Sequence, residues 1–155
     1  MKAAILVKYD KKGRNLDIRD VPMPEVGCSD VLVRVSTAGV NPLDNMIIRG
    51  EVKLIVPYTL PLVMGNEFCG TIVKMGSEVR GFTVGERVYG RLPLNHIGAF
   101  AEYIAVSHDA IAKVPDYLSD EEASSIPLTA LTALQSLELL HAKAGDTVFH
   151  IRRYW

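Results

Sequence analysis

A chain of 155 residues that is 48% hydrophobic and 23% charged has the balance of a folded globular protein, which excludes a disordered or fibrous one. At this length roughly two-thirds of the unfolded surface can be buried, so a core can form without disulfides or metals. A formal net charge of −1, with lysines and arginines scattered along the chain, gives no footing for nucleic acid or an anionic membrane as partner.

Cys28 and Cys69 lie far apart and outside any CxxC pair or Cys/His cluster, so a reduced, cytoplasmic setting is the simplest expectation. A disulfide between them stays open, because spacing alone does not settle geometry. The apolar run from Ala3 to Val7 is too short for a signal peptide, and no run approaches the roughly 20 residues of a membrane helix.

The N-terminal part reads as strands. Ala3 to Tyr9 and Leu16 to Val21, joined by the polar cluster Lys11-Lys12-Gly13-Arg14-Asn15, predict a hairpin. Pro22 and Pro24 then block regular structure, since proline lacks the donor that a ladder needs. From Val31 the residues alternate, Val31, Val33 and Val35 on one face and Leu32, Arg34 and Ser36 on the other, which predicts a half-buried strand. It runs into Asn41-Pro42, which predicts a short helix with Asn41 as N-cap and Pro42 at its first position.

A proline-bearing loop carries Tyr58 and Leu60 toward Gly65. A β-like run from Phe68 to Met75 follows, then tight turns around Gly81, Gly85 and Gly90, a strand from Ala99 to Val106 and a short one from Ala110 to Val114. So many short strands with turn signals between them predict a β-barrel or sandwich. At Ser119 the character changes. Ser119 with Glu122 three residues on has the form of a capping box. Pro127 interrupts that helix, and Leu128, Leu131, Leu134 and Leu137 predict one face of a second helix to about Leu140. His141 and Lys143 suit the end of that helix, and Gly145 suits its cap. Asp146 to Ile151 predicts a new strand, whose exposed part from Thr147 could pair with another chain. No Gly-rich phosphate loop follows it.

Taken together, AGVNPLD at 38–44, GNEFCGTIVKMGSEV at 65–79, VGERVYG at 84–90, GAFAEY at 98–103 and PLTALTALQSL at 127–137 resemble the medium-chain dehydrogenase/reductase superfamily, and within it the zinc-independent quinone oxidoreductases. The resemblance implies a mainly β chain with a few helices (α+β), a GroES-like partly open β-barrel. Residues 1–118 would form the GroES-like, substrate-side domain. Residues 119–155 would form a helical connection and the first strand of a nucleotide-binding domain. The relatives' NADPH-binding Rossmann domain would for the most part lie beyond this sequence.

Zinc-dependent relatives carry Cys at the position of Asn41 and His at that of Asn66, followed by a Glu that corresponds to Glu67. Catalytic zinc normally needs three protein ligands of that kind, and asparagine offers neither thiolate nor imidazole. Zinc is therefore expected to be absent, and none of the four histidines forms a ligand pair. The chemistry then suits a quinone or an α,β-unsaturated carbonyl, already activated by conjugation.

By resemblance Asn41 and Thr132 would lie near the nicotinamide end of NADPH. Asn41 can also be a plain helix N-cap, and Thr132 can simply bond its own helix backbone. Asp44 suits the first turn of its helix whatever the function. Glu67 is expected to pair with Arg49 or Arg87, and Tyr58 is a candidate donor to the substrate. The expected parent activity is NADPH-dependent hydride transfer, with this chain alone binding the cofactor weakly or not at all. The rival reading is a short non-enzymatic GroES-like binding module, since folds host unrelated functions.

Overall fold

The computed structural model describes residues 1–13 and 16–149. Its strands are β1 Lys2–Leu6, β2 Asp17–Asp20, β3 Asp30–Gly39, β4 Leu62–Val63, β5 Glu67–Met75, β6 Arg87–Arg91, β7 Tyr103–Ser107 and β8 Ile111–Lys113. They form two sheets, a smaller one in the order β2-β1-β4 and a larger one in the order β7-β3-β5-β6-β8. All pairings are antiparallel, and neither sheet closes on itself. Three α-helices complete the described chain: α1 Pro42–Arg49, α2 Asp120–Ser124 and α3 Pro127–Leu139. The chain is thus a mainly β, α+β domain of the expected GroES-like kind.

The predicted hairpin is β1 paired with β2. On β3 the alternation holds in its middle, where Val33 is fully buried while Arg34 and Ser36 face solvent; at its start Leu32 is buried as well as Val31. Val31 and Val33 join Phe68, Ile72, Val88 and Leu92 in the main core. Each such burial removes enough apolar surface from water to contribute roughly 1.5–3 kcal/mol. A second core, with Leu6, Ile47, Ile48 and Met64 at its centre, packs α1 under the smaller sheet.

The strand expected from Ala99 begins only at Tyr103. Residues 99–101 have another task. The Phe100 N–H donates to Met64 O at 2.7 Å, Ala4 N–H donates to Phe100 O at 2.8 Å, and Ala101 bridges to Ala3. Their backbone groups pair with the smaller sheet just before the chain enters β7 of the larger one, and so are withdrawn from the larger sheet's ladder.

Helix α2 starts as predicted, Ser119 Oγ accepting the Glu122 N–H at 3.2 Å and Glu122 Oε2 accepting the Ser119 N–H at 3.0 Å. Arg87 and Thr37 tie its first residue, Asp120, to the larger sheet through the Asp120 carboxylate and carbonyl respectively. Helix α3 ends earlier than the Gly145 cap would allow. His141 takes the left-handed conformation at φ 52°, and its N–H and that of Ala142 return to Glu138 O and Leu137 O. This is the double hydrogen bond that closes a helix, here on a histidine rather than a glycine. The leucine face of α3 is present but not covered, with Leu131, Leu134 and Leu137 all exposed. The strand expected from Asp146 is not formed over residues 146–149, so an edge there for pairing with another chain is not seen, and residues 150–151 lie outside the described chain.

Candidate functional site

The corner between β3 and α1 is where the polar residues gather. Asn41 is the N-cap of α1, with extended backbone, and Pro42 occupies the first helical position, where its missing N–H is not needed. Asp44, in the first turn, reaches back so that its Oδ2 accepts the Asn41 N–H at 2.8 Å. Its other oxygen accepts from Asn66 Nδ2 at 2.8 Å. Asn66 directly precedes β5 and Glu67 begins it, so the corner and the strand meet side by side.

Glu67 is the hub of the second half. Its Oε1 accepts from Asn41 Nδ2 at 2.7 Å, and its Oε2 accepts the backbone N–H of Leu128, in the first turn of α3, at 2.7 Å. The expected partners Arg49 and Arg87 are engaged elsewhere, with Glu51 and Asp120. Ile126 stands at the N-cap of α3 and has no side chain to cap it, so the Glu67 carboxylate satisfies a helix donor from across the fold. Gly39, opposite Glu67 on β3, makes room for this. A Cβ there would lie 2.5 Å from Glu67 Oε1 and 2.6 Å from the Ser124 carbonyl.

Asn41, Asp44, Asn66 and Glu67 are all at most 5% exposed. Two carboxylates are thus buried with amides and backbone N–H groups as their hydrogen-bond partners. Burial pushes the Asp44 carboxyl above the usual aspartate range, the hydrogen bonds from Asn41 and Asn66 pull it back, and the nearby Glu67 adds to the rise. Asn66 Oδ1 is buried with no hydrogen-bond partner among the described residues. Among the described residues no group of three or more His, Cys, Asp or Glu side chains is arranged to hold a metal ion.

Grooves flank α3 on both sides. One, of about 650 Å3, is walled by Asn41, Pro42 and Leu43 on one side and by Leu128, Thr132 and Ser136 on the other. It holds both Asn41 and Thr132, far apart in sequence. Thr132 Oγ1 donates to Leu128 O at 2.7 Å and Ser136 Oγ to Thr132 O at 2.7 Å, so each hydroxyl is spent as a donor on its own helix and keeps its oxygen as an acceptor. Another groove, of about 540 Å3, lies against Tyr89, Arg91, Ala110 and Leu131 and is lined by none of Asn41, Asp44, Tyr58, Glu67 and Thr132.

Tyr58 lines neither groove. It packs in the second core with Tyr9, Leu43 and Leu60, and its hydroxyl is buried without a partner among the described residues. Burial pushes that phenol above its ordinary pKa, with Arg91 opposing and Asp44 and Tyr9 adding to the rise, so it is a protonated group throughout the neutral range. The role of Glu67 on α3 is what reading the residues missed. The signal for it was available: a helix opening on Ile126-Pro127 lacks a capping side chain, and a lone acid stands before the apolar run Phe68-Cys69-Gly70 at the start of a strand.

The alcohol dehydrogenase GroES-like domain family matches residues 27–116. The chain belongs to that family, within the medium-chain dehydrogenase/reductase superfamily. It is 33% identical over 143 residues to the mitochondrial NAD(P)H oxidoreductase RTN4IP1 of Dictyostelium discoideum, a match covering 88% of this chain and 40% of that protein. Among solved structures it superposes on the quinone oxidoreductase from Coxiella burnetii with a TM-score of 0.84 at 31% identity, over 94% of this chain and 47% of the other. A mycobacterial protein, Rv1454c, solved in complex with NADPH, gives a TM-score of 0.81 at 32% identity, over 94% and 44% of the two chains. The chain therefore spans less than half the length of each of these relatives. No described helix is long and apolar enough to cross a membrane.

Proposed function

We propose that the groove between Asn41 and Thr132 receives the nicotinamide end of NADPH, and that the chain forms the substrate-side wall of an NADPH-dependent reductase of quinones or α,β-unsaturated carbonyls, without zinc. The observation that carries this is the convergence of Asn41 and Thr132 on one groove. Its volume and mixed lining suit one planar ring with a polar substituent. No lysine or arginine is among the described residues lining it, so the groove fits the ring rather than the phosphates.

Bound there, the reduced nicotinamide would supply a hydride to a conjugated carbon, and the charge arriving on the acceptor's oxygen would need a donor nearby. The chain's own contributions are separable. Asn41 orients the ring end with an amide held by Glu67. Thr132 and Ser136 present hydroxyl oxygens along the opposite wall. Tyr58, packed in the second core with its hydroxyl buried outside this groove, is given no part in the transfer. The zinc-free reading is supported by the donor set: both amides at positions 41 and 66 turn an N–H toward a carboxylate, and neither resembles a thiolate or imidazole ligand.

Titration of the isotope-labelled chain with reduced nicotinamide mononucleotide, followed by NMR, tests this. We expect shifts at the Asn41 side-chain amide and at Thr132 with a dissociation constant of about 1 mM, weakened by Asn41→Ala. Shifts confined to the Arg91 flank of α3, or none at about 10 mM ligand, would overturn it.

A further inference from the structure

Arg91 ends β6 directly opposite Glu67, the first residue of β5. Opposed residues of an antiparallel pair lie on one face of the sheet, within reach of each other. The obvious ion pair is not made: Glu67 Oε1 is taken by Asn41 and Oε2 by the Leu128 N–H. Of the described arginines, Arg19, Arg49 and Arg87 each hold a carboxylate, and Arg80 holds two backbone carbonyls. Arg34 is exposed to water. Arg91 is half-buried and makes no hydrogen bond or ion pair with any described residue.

Arg91 walls the groove of about 540 Å3 on the flank of α3 away from Asn41 and Thr132. Ala110 and Ile111 line one side of it, and Ile126, Pro127, Ala130 and Leu131 the other. The second charged residue of the lining, Asp109, has a side chain 87% exposed that faces His108 Nε2 at 3.5 Å, so it lies in water rather than on Arg91. One wall is held in place before any ligand arrives, since β6 and the turn before β8 pack so closely that a Cβ at Gly90 would lie 2.4 Å from the Ala110 carbonyl oxygen.

A half-buried guanidinium has given up part of its hydration and here has no acceptor in return. Its planar fork matches the two oxygens of a carboxylate. An apolar body carried by that carboxylate would cover Ile111 and Leu131, and the volume is that of a small-molecule site. We propose that this groove is a second binding site, for a small organic carboxylate with a flat apolar body: Arg91 takes the carboxylate and the two walls take the body. The site stands apart from the groove of Asn41 and Thr132 and does not depend on its reading.

NMR titration of the isotope-labelled chain with 2-naphthoate and with its neutral counterpart of the same shape, 2-naphthamide, tests this. 2-Naphthoate should move the methyl signals of Ala110, Ile111 and Leu131 and the side-chain Nε–H signal of Arg91, with a dissociation constant of about 1 mM. 2-Naphthamide should bind at least about tenfold more weakly. Raising sodium chloride from about 20 to about 300 mM should weaken the carboxylate several-fold and leave the amide unchanged. Arg91→Met removes the charge while keeping an apolar stem, and should bring the two ligands to equal affinity.

Equal affinity of the two ligands for the wild type would overturn the proposal, as would no binding of 2-naphthoate at about 10 mM. So would shifts at Thr132 and Leu137 in place of Ala110 and Ile111, or an undiminished preference for the carboxylate in Arg91→Met. If that variant does not fold, the wild-type Arg91 Nε–H signal decides the matter: a shift with 2-naphthoate alone supports the site, and an unmoved signal contradicts it.

Discussion

Glu67 Oε2 accepts the backbone N–H of Leu128 at 2.7 Å, so the first residue of a strand caps a helix 61 positions further along the chain. Because the same carboxylate also holds Asn41, the helix and the corner that wall the groove share one anchor. The β-rich part of the fold and the helix that follows it are joined by a buried charge rather than by a broad apolar contact, since the leucine face of α3 is exposed.

Replacing Glu67 with alanine leaves the Leu128 N–H and the Asn41 amide without their acceptor and opens a cavity in a fully buried place. We predict a loss of about 2–4 kcal/mol in urea unfolding, with a lower helical signal in the native baseline as α3 frays. A loss well under about 1 kcal/mol would show that the anchor contributes little.

Gly39→Ala tests the same contact from the opposite strand. The added methyl group would meet Glu67 Oε1 at 2.5 Å and the Ser124 carbonyl at 2.6 Å, and neither a backbone carbonyl nor a carboxylate held by two hydrogen bonds moves cheaply. The expected cost is about 1–3 kcal/mol, typical of overpacking, read as a drop in melting temperature. Gly81→Ala is the comparison, because nothing lies within 4 Å of its added Cβ and only its φ of +81° opposes the change.

Asp44 gives a pH signature. Its folded-state pKa is raised, chiefly by burial, so its contribution to stability is fully present below the ordinary aspartate value of about 3.9 and is lost as pH rises through the raised one. Asp44→Asn removes that loss. The introduced amide can accept the Asn41 N–H and, if Asn66 turns over, donate to the Asn66 oxygen that has no partner in the wild type. Stability of the variant relative to the wild type should therefore increase from about pH 4 to about pH 7 in parallel chemical denaturations. A constant or falling difference would contradict the assignment.

The two cysteines should differ sharply toward an alkylating reagent. Both are free in the structure, Cys28 exposed and Cys69 buried. Burial, reinforced by the Asp120 carboxylate that its thiol faces at 3.5 Å, pushes the Cys69 pKa up to about 12. At about pH 8 only about one such thiol in ten thousand is ionised. Native protein should take up one equivalent of iodoacetamide rapidly, at Cys28, and a second only after unfolding. Rapid labelling of both would place Cys69 at the surface.

The helices and the β-rich fold are readable in the sequence because their signals are local. Asn41-Pro42 and Ser119 with Glu122 state their caps within four residues, and the alternation around Val33 needs only one buried face. Phe100 escapes such a reading because its backbone groups pair with the smaller sheet while the strand that follows it belongs to the larger one, which periodicity cannot express. The end of α3 escapes it because His141 accepts a left-handed conformation that Gly145 would have adopted more easily. At the site, Asn41 and Thr132 could be brought together only through the family resemblance. The tie that holds them depends on strand register, Gly39 opposite Glu67, and on a helix start that is distant in sequence.

Whether Asn41 and Thr132 face a reduced nicotinamide ring is read from intermolecular NOEs between the C4 hydrogens of reduced nicotinamide mononucleotide and the labelled chain. We expect cross-peaks to the Asn41 side-chain amide and the Thr132 methyl group, weakened in Asn41→Ala. Cross-peaks instead to Ala110 or Leu131, on the other flank of α3, would contradict it.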